Sequence, residues 1–491
     1  MALISSLTTL ASLSLYSDNI HSIPNQPRFL QYSPAPLCHL PYSSSSCCFT
    51  LCRSSDHSQK QLNFICQAIS HSACNLPRGT AAVSSSIDKT FIRTPTKRQQ
   101  QKMSISADAS DATASTEGSI DEQKWSSARV LGYATEEFPW WDRKLLSGAV
   151  VVRENGLQGP YRMYYYGRGS DVWNMGVKPF NQFLPTGRVG LATSSDGLSF
   201  LRYKGDLEGG AIMDPSDNPT DFDCVHVAVS DVHYQKEDKL WLMHYFGGGL
   251  DEAVLAGFSE LPIKGIKLRP GVATSADGLH FQSRNGPILD VGDAGSWDQN
   301  GVSWPRVLLP SETSVPGVLQ GKWVMTYHTR ELGVGPGGAG YFSAGLAISE
   351  DGKTWEKQGK IISAGSSGSW DENGVSVRHV VMIGSQYVMF YEGSNYKGEF
   401  AIGLAVSDDG IAWRKDEEFG SEPGGPILRA RKGEDVWDNV IVATPYVLPM
   451  QDGSFRMYYL GVGRRPGEET KQGIGLAVSK GSDFRTWTRI V

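Results

Sequence analysis

The chain has 491 residues, of which 40% are hydrophobic and 20% charged, a composition typical of globular proteins. Residues 1–100 hold eight Lys and Arg against three Asp, which leaves 38 basic and 49 acidic residues, a net charge of −11, for the rest of the chain. So acidic a body argues against nucleic acid as a partner. No apolar run approaches the roughly 18 residues that a membrane span needs.

Residues 1–100 differ from the rest of the chain because they are Ser-rich, basic and poor in acids, as organellar transit peptides are. Residues 1–6 resemble the start of a chloroplast transit peptide, and residues 65–68 resemble a stromal processing site. We expect residues 1–100 to be a transit peptide and disordered presequence, residues 101–124 to be a linker, and the protein to reside in the chloroplast stroma. A disordered cytosolic tail is the alternative.

Six of the seven cysteines lie in the presequence, so Cys224 is alone in the body. A single cysteine excludes a disulfide framework or a Cys-based metal site there. No His-x-x-x-His pair occurs either, so the sequence predicts no metal site, and it identifies no cofactor.

Residues 125–491 are organised as a repeat. The pattern Gly-h-Ala-x-Ser-x-Asp-Gly-x-x-aromatic, where h is apolar, starts at Gly190, Gly271, Gly345, Gly403 and, in degenerate form, Gly475. Its first half alternates with period two, and its Asp-Gly pair favours the positive φ angles of a tight turn. Each copy therefore predicts a β-hairpin.

Two further signals precede each copy. One is a Met-x-Tyr run, and the other is an aromatic-Asp pair, at Trp141-Asp142, Phe222-Asp223, Trp297-Asp298, Trp370-Asp371 and Trp437-Asp438. Four short strands thus recur five times, which predicts an all-β, five-bladed β-propeller of four-stranded antiparallel blades over residues 125–491. The long loops after the second strands and the connections between blades share one face, the loop face, where we expect function.

Candidate site residues are those at which equivalent blade positions differ. The five Asp of the aromatic-Asp pairs recur in every blade, which favours a structural role. The residue after Met-x-Tyr varies, and the five blades have Tyr166, Phe246, His328, Glu392 and Leu460. The residue before the recurrent valine of the inner strand also varies, and we align there Ala149, Asp231, Arg306, His379 and Tyr446.

A pair or trio of carboxylates around a channel mouth suits glycosidic chemistry, in which one group protonates the leaving oxygen and another attacks or activates water. The candidate catalytic residues are Asp142, Asp231 and Glu392. The candidate substrate-binding residues are His226, Arg306, His328, Arg330, Glu331, His379 and Tyr446. For each of these residues, a structural polar contact remains the alternative interpretation.

With five blades, carboxylates before the inner strands and Ser-x-Asp-Gly-x-x-Trp hairpins, residues 125–491 resemble the arabinanase–levansucrase–invertase superfamily of propeller glycosidases. The resemblance implies a sugar-binding funnel on the loop face, with an Asp on the inner strand of blade one as base or nucleophile and a later Glu as acid. This sequence has Ser147 or Gly148 where that Asp is expected.

Three hypotheses follow. The first is a plastid carbohydrate-active, glycosidase-like protein that acts on or binds a small-molecule or oligosaccharide glycoside at the loop face. The alternative is a catalytically silent propeller that binds a ligand or a protein, and the sequence identifies no protein partner. The third is an enzyme of another chemistry that uses Arg306, His328 and His379.

Overall fold

The computed structural model confirms the predicted all-β fold, with five blades of four antiparallel strands that follow one another in sequence order. The structure describes residues 129–132, 138, 140–153, 159–169, 174–175, 182–254, 262–281, 283–338, 340–416 and 424–490. The predicted transit segment and linker lie outside the described residues.

Each blade begins with an inner strand and ends with an outer strand. Blade one comprises Leu145–Arg153, Tyr161–Arg168, Arg188–Ser194 and Leu201–Arg202. Blade two comprises His226–Gln235, Leu240–Gly248, Leu268–Ser275 and Ser283–Asn285. Blade three comprises Ser303–Leu308, Trp323–Glu331, Tyr341–Ser349 and Glu356–Ile362. Blade four comprises Val375–Ile383, Gln386–Ser394, Phe400–Ser407 and Arg414–Lys415. Blade five comprises Ile441–Pro449, Phe455–Gly463, Lys471–Lys480 and Asp483–Arg489.

A few short elements lie outside the blade pattern. A separate small sheet is formed by Asn174–Met175, Gln182–Phe183, Ile263–Lys264 and Glu252–Ala253. Leu428–Arg429 adds a short strand to the third strand of blade four. The 3-10 helices of the described residues are Glu208–Gly210, Pro310–Glu312 and Pro336–Gly338.

The recurrent sequence signals form one structural unit in every blade. In blade four, Asp371 accepts hydrogen bonds from the Tyr391 hydroxyl at 3.0 Å and from Lys415 Nζ at 2.6 Å, while Trp370 stacks on Tyr391 at 5.6 Å. A Cβ atom on Gly403 would lie 2.6 Å from Trp370, which explains the recurrent glycine. The equivalent triads of the other blades are Asp142–Tyr165–Arg202, Asp223–Tyr245–Arg284, Asp298–Tyr327–Lys357 and Asp438–Tyr459–Arg489. The unit ties the outer strand of each blade to its second strand.

The hairpin turns differ from the predicted form. In the Asp-Gly pair of the blade-four hairpin, Gly410 has a positive φ, of 75°, and Asp409 does not. Instead, Asp409 Oδ1 accepts hydrogen bonds from the backbone N–H groups of Ile411 and Ala412, both at 2.8 Å. The aspartate side chain therefore shapes the turn by satisfying backbone donors, as in other Asx turns, and does not need a left-handed conformation of its own.

Blades one and five each complete their own four strands, so a separate segment joins them. The Val130 N–H donates to the Ile474 carbonyl at 2.9 Å, and the Phe200 N–H donates to the Val130 carbonyl at 2.9 Å. The Tyr458 hydroxyl also donates directly across the junction to the Gly197 carbonyl at 2.9 Å. Residues 129–131 thus lie between the third strand of blade five and the outer part of blade one, and close the ring.

Every inner strand carries a β-bulge at the same level. The irregularities in register fall between Ser147 and Val150, Val229 and Asp231, Ser303 and Arg306, Val375 and Arg378, and Ala443 and Tyr446. Two bulge residues, Trp304 and Thr444, have φ angles of 51° and 46°, which non-glycine residues seldom adopt. The bulges divide each inner strand into a segment near the loop face and a segment near the opposite face.

The bulge of blade three sends Trp304 across the axis of the propeller. A Cβ atom on Gly148 of blade one would lie only 2.4 Å from Cη2 of Trp304. The Trp304 ring also lies 5.3 Å from the ring of Phe246 in blade two. The indole therefore fills the space beside the blade-one inner strand, where the family resemblance implies an acid.

Arg306, two residues further along, reaches the other blades. Its Nη1 donates to the Ser230 carbonyl of blade two, and its Nε donates to the Arg378 carbonyl of blade four at 3.1 Å. Its Cζ lies 5.1 Å from the centre of the Tyr446 ring in blade five. The side chains of one bulge thus contact the inner regions of all four other blades.

We expect Gly148→Ala to lower the free energy of unfolding by about 3 kcal/mol, because it adds both overpacking and a left-handed alanine. Gly384→Ala is the matched control, since Gly384 also has a φ of +63° but nothing lies within 4 Å of its added Cβ. The control should lose only about 1 kcal/mol. Urea denaturation measures both, and equal losses would show that the Trp304 ring does not occupy this space.

Candidate functional site

The bulges separate two levels of residues around the axis. We define the upper ring, nearer the loop face, as Ser147, Ala228, Ser303, Ser376 and Ala443 with their second-strand neighbours Tyr166, Phe246, His328, Glu392 and Leu460. The lower ring, past the bulges, is Val150, Asp231, Arg306, His379 and Tyr446. The alignment of Ala149 with this position was wrong by one residue, because Val151 is the valine that pairs with a methionine, Met163, as in the other blades.

The lower ring joins neighbouring blades. Asp231 Oδ2 accepts a hydrogen bond from the Val307 N–H of the next blade at 3.0 Å. In the same way, His379 Nδ1 accepts from the Val447 N–H of the next blade at 3.1 Å, and its ring stacks on Tyr446 at 4.1 Å. Both acceptors satisfy a backbone donor on the inner edge of a strand that its own sheet leaves unbonded.

Burial and neighbouring charge set the protonation of the lower ring. Burial alone would raise the pKa of Asp231, but the charge of His233, with Nε2 at 3.6 Å, and that of Arg306 lower this pKa below its ordinary value. Burial, together with Arg306, lowers the pKa of His379 to about 3. Burial raises the pKa of Tyr446 well above its usual value. At neutral pH, Asp231 is therefore ionised, and His379 and Tyr446 are neutral.

Glu392 is the carboxylate of the upper ring, and its side chain is held on both oxygens. The Ser376 hydroxyl donates to Oε1 at 2.7 Å, and the backbone N–H of Thr444 donates to Oε2 at 3.0 Å. The residue is 1% exposed. Thr444, whose positive φ is uncommon, thus helps to position Glu392, the only carboxylate among the residues of the upper ring.

His328 and Arg378 form the second polar group of the upper ring. Arg378 Nη1 donates to His328 Nδ1 at 3.0 Å, and since a guanidinium group has no acceptor, the proton of the neutral imidazole is on Nε2. Burial, and then the charge of Arg378, lower the pKa of His328 well below its usual value. His328 is therefore a neutral imidazole that presents an Nε2–H donor.

Arg378 is a buried cation held mainly by carbonyl groups. Besides His328, it donates to the Trp304 carbonyl at 2.7 Å and to the Ser376 carbonyl at 3.0 Å. Within the part of the chain that the structure describes, no carboxylate lies within ion-pair distance of it. Burial, followed by the charge of Arg306, lowers the pKa of Arg378 well below its usual value. A buried charge without a counterion is energetically costly.

Several buried polar atoms of this region have no hydrogen-bond partner among the described residues. They are Ser147 Oγ, Trp304 Nε1, His328 Nε2, Thr329 Oγ1, Arg378 Nε and Thr444 Oγ1. Each unmade bond of a buried polar group costs about 1–3 kcal/mol. These atoms belong to the upper ring or to residues that adjoin it, so this level of the propeller has hydrogen-bonding capacity that the described fold does not use.

The remaining predicted binding residues have other surroundings. His226 Nδ1 lies 2.9 Å from both the Gly187 N–H and the Pro185 carbonyl, and burial lowers the pKa of His226 to about 3. Its ring lies 5.5 Å from that of Tyr166, so it adjoins the upper ring from blade two.

Arg330 and Glu331 lie further out on blade three. Arg330 donates to the Gly340 carbonyl at 3.2 Å and lies over the Phe342 ring at 5.2 Å. Glu331 pairs with Lys360 of the outer strand at 2.6 Å. Glu331 is thus paired within its own blade, and Arg330 lies over a ring, Phe342, that is 5.6 Å from the ring of His328 in the upper ring.

Asp142 has the same partners as its four equivalents in the repeat. Both Nε and Nη2 of Arg202 donate to Asp142 Oδ2, at 2.9 and 2.8 Å, and Arg202 belongs to the outer strand of blade one. Glu392 and Asp231, in contrast, contact the inner strands. We therefore interpret Asp142 as part of the repeat unit and leave it out of the candidate site.

Arg378, Ser376 and Thr444 are site residues that the sequence analysis did not select. A signal was present, since Arg378 is an arginine within an otherwise core-like strand and stands next to the selected His379. The bulge inserts an extra residue at this point, so alignment of the blades by their valines compares only the lower ring.

A separate groove of about 630 Å³ lies on the loop face of blade two. Its lining includes Phe222, Tyr245 and Arg269, and Arg269 pairs with Asp251 at 2.6 Å and with Asp290 at 2.7 Å. None of the predicted site residues lines this groove.

Within the described residues, no group of three or more His, Cys, Asp or Glu side chains is placed to hold a metal ion. The same part of the chain contains no helix long and apolar enough to cross a membrane.

Two of the many solved structures that resemble this fold are similar over most of the chain. One, a complex described by the names BT0996 and RGII, is 19% identical, covers 73% of this chain and 94% of its own, and has a TM-score of 0.50. The other, described as "Glycoside hydrolase", is 18% identical, covers 75% of this chain and 96% of its own, and also has a TM-score of 0.50. No protein-family model matches the chain, and no curated protein matches it. The chain is thus a five-bladed β-propeller with a structural neighbour among the glycoside hydrolases, and at these identities the likeness concerns the fold.

The buried histidines predict a dependence of stability on pH. Burial lowers the pKa of His226 and of His244 to about 3, whereas an unfolded histidine titrates near 6.5. Between these values the unfolded chain binds protons that the folded protein excludes, so the free energy of unfolding falls as the pH is lowered from about 6.5 towards 3.

We expect His244→Gln to reduce the slope in this window by up to about 1.4 kcal/mol per pH unit. Urea denaturation at intervals between pH 7 and pH 4 measures the slope. An unchanged slope in the variant would show that His244 takes up a proton in the folded protein.

Proposed function

We propose that the protein is carbohydrate-active and binds a glycoside at the upper ring. The observation that carries this proposal is the group of buried polar atoms near Glu392 that have no hydrogen-bond partner among the described residues. Sugar hydroxyls both donate and accept hydrogen bonds, and this region offers the hydroxyls of Ser147, Thr329 and Thr444 and the N–H donors of His328 and Trp304. The likeness in fold to a glycoside hydrolase agrees with this ligand class.

Backbone strain supports the same location. The N–H that binds Glu392 Oε2 belongs to Thr444, a β-branched residue with a φ of 46°. Residues held in such conformations are costly and concentrate at functional sites. Trp304, the other non-glycine bulge residue with a positive φ, has a buried indole N–H without an acceptor among the described residues.

Binding is better supported than hydrolysis. Glycosidases use two carboxylates on either side of the scissile bond. Asp231 belongs to the lower ring, where its Oδ2 is bonded to the Val307 N–H, and Arg306 contacts the neighbouring Ser230 carbonyl. On blade one, the position of the acid implied by the resemblance is Ser147 or Gly148, and the Trp304 ring fills the space beside Gly148. Glu392 thus lacks a second carboxylate within the upper ring.

The test is a screen of the purified protein against a panel of oligosaccharides and aryl glycosides, scored for both binding and turnover. Glu392→Gln should weaken the ligand found at least tenfold, or about 1.4 kcal/mol, because it removes a charged acceptor. Glu356→Gln, at an exposed position of an outer strand, is the matched control and should bind normally.

Asp142→Asn should lower thermal stability and leave affinity unchanged, because Asp142 belongs to the repeat unit. Failure of every panel member to bind would overturn the proposal. Turnover of an aryl glycoside that Glu392→Gln abolishes would instead establish hydrolysis.

We also propose that the protein acts in the chloroplast stroma, on the basis of the acid-poor, Ser-rich composition of residues 1–100. A fusion of these residues to a fluorescent protein should be imported and cleaved by isolated chloroplasts. A fusion that stays outside and uncleaved would contradict this location.

A further inference from the structure

The unpartnered hydrogen-bond donors at the upper ring bear on the charge of the ligand. Arg378 is 0% exposed, and its partners are the His328 Nδ1 atom and the carbonyl groups of Trp304 and Ser376. Its Nε has no partner in the described part of the chain. None of these partners carries a negative charge, so the guanidinium charge is not balanced by the groups that bind it.

Two neighbours of Arg378 are also donors without a partner among the residues that the structure describes. The hydrogen bond from Arg378 leaves the His328 proton on Nε2, and that atom is buried and unbonded. The indole Nε1 of Trp304, which can only donate, is buried and unbonded as well. We call these three residues the donor cluster. A set of buried groups that only donate matches a ligand group that only accepts, and an oxyanion is such a group.

The carboxylate of Glu392 does not fill this role. Its oxygens accept from the Ser376 hydroxyl and the Thr444 N–H, and Glu392 is not among the groups that Arg378 contacts in the described part of the chain. Because Ser376 donates to Glu392 through its hydroxyl and accepts from Arg378 through its carbonyl, the two charged groups lie on either side of one residue. The upper ring therefore has a carboxylate on one side of Ser376 and the cationic donor cluster on the other.

We propose that the donor cluster binds the anionic oxygens of an acidic glycoside, either a uronate carboxylate or a phosphate ester. This inference rests on the proposed glycoside function for its location and adds the charged group that the ligand carries. An oxyanion at this place would supply the counterion that Arg378 lacks and acceptors for Arg378 Nε, His328 Nε2 and Trp304 Nε1.

The experiment compares matched ligands on the full chain by isothermal titration calorimetry. The pairs are galacturonate with galactose and glucose 6-phosphate with glucose, and inorganic phosphate is compared with chloride at equal ionic strength by thermal unfolding. In at least one pair the acidic sugar should bind at least tenfold more tightly than its neutral parent, and the pair that shows this identifies the source of the oxyanion. Phosphate should raise the Tm above its value in chloride.

The outcomes separate this inference from the proposed function. If neutral sugars bind and their acidic partners bind no more tightly, the proposed oxyanion binding at the donor cluster is wrong, and the proposed glycoside binding is unaffected. If inorganic phosphate binds but no sugar or panel member does, the proposed oxyanion binding is supported and the proposed glycoside binding is wrong. If no acidic probe binds, the inference is overturned.

Arg378→Met should abolish the preference for the acidic member of the pair. The matched control is Arg414→Met, because Arg414 is exposed and pairs with Asp408 on the outside of blade four at 3.1 Å. His328→Gln changes the geometry of the donors but keeps the charge of Arg378, so it should reduce the preference for the acidic sugar. This variant provides the test if Arg378→Met does not fold. A full preference in a folded Arg378→Met protein would contradict the proposal.

Discussion

The structure depends on one bulge, in the inner strand of blade three, that sends two large side chains across the axis. Trp304 contacts blades one and two, and Arg306 bonds to blades two and four and lies over the Tyr446 ring of blade five. Protein interiors are close-packed, so inner strands that meet around an axis need large groups between them. Blade one contributes Gly148 because the indole leaves no room for a side chain there.

This closure gives the two levels different roles. Below the bulges, Asp231 and His379 accept hydrogen bonds from the inner edges of the next blades and so contribute to the ring itself. Above the bulges, polar groups around Glu392 and Arg378 remain without partners in the described residues. Buried polar groups without partners are costly to a fold, and the neighbouring carboxylate and guanidinium are the reason that we propose an acidic sugar as their ligand.

The fold was predictable from the sequence because the repeat unit places the same residue types in the same contacts in all five blades. The site was only partly predictable. Comparison of unlike positions found Glu392 and His328, which the upper ring contains, but the bulges shift the register and hid Arg378. Pro305 and Pro445, which directly follow the two non-glycine bulge residues with positive φ, were a usable signal, since proline inside a central strand indicates a bulge.

The central claim is that the ligand binds at the upper ring against Trp304, and the indole N–H of this residue reports on it directly. In a ¹H–¹⁵N spectrum, the signal that Trp304→Phe removes should shift on saturation with the glycoside found by the panel, and its exchange with solvent should slow. The indole signals of Trp413 and Trp487, which donate to carbonyl groups in outer turns, should stay in place. A bound ligand that leaves the Trp304 signal unmoved would contradict the account.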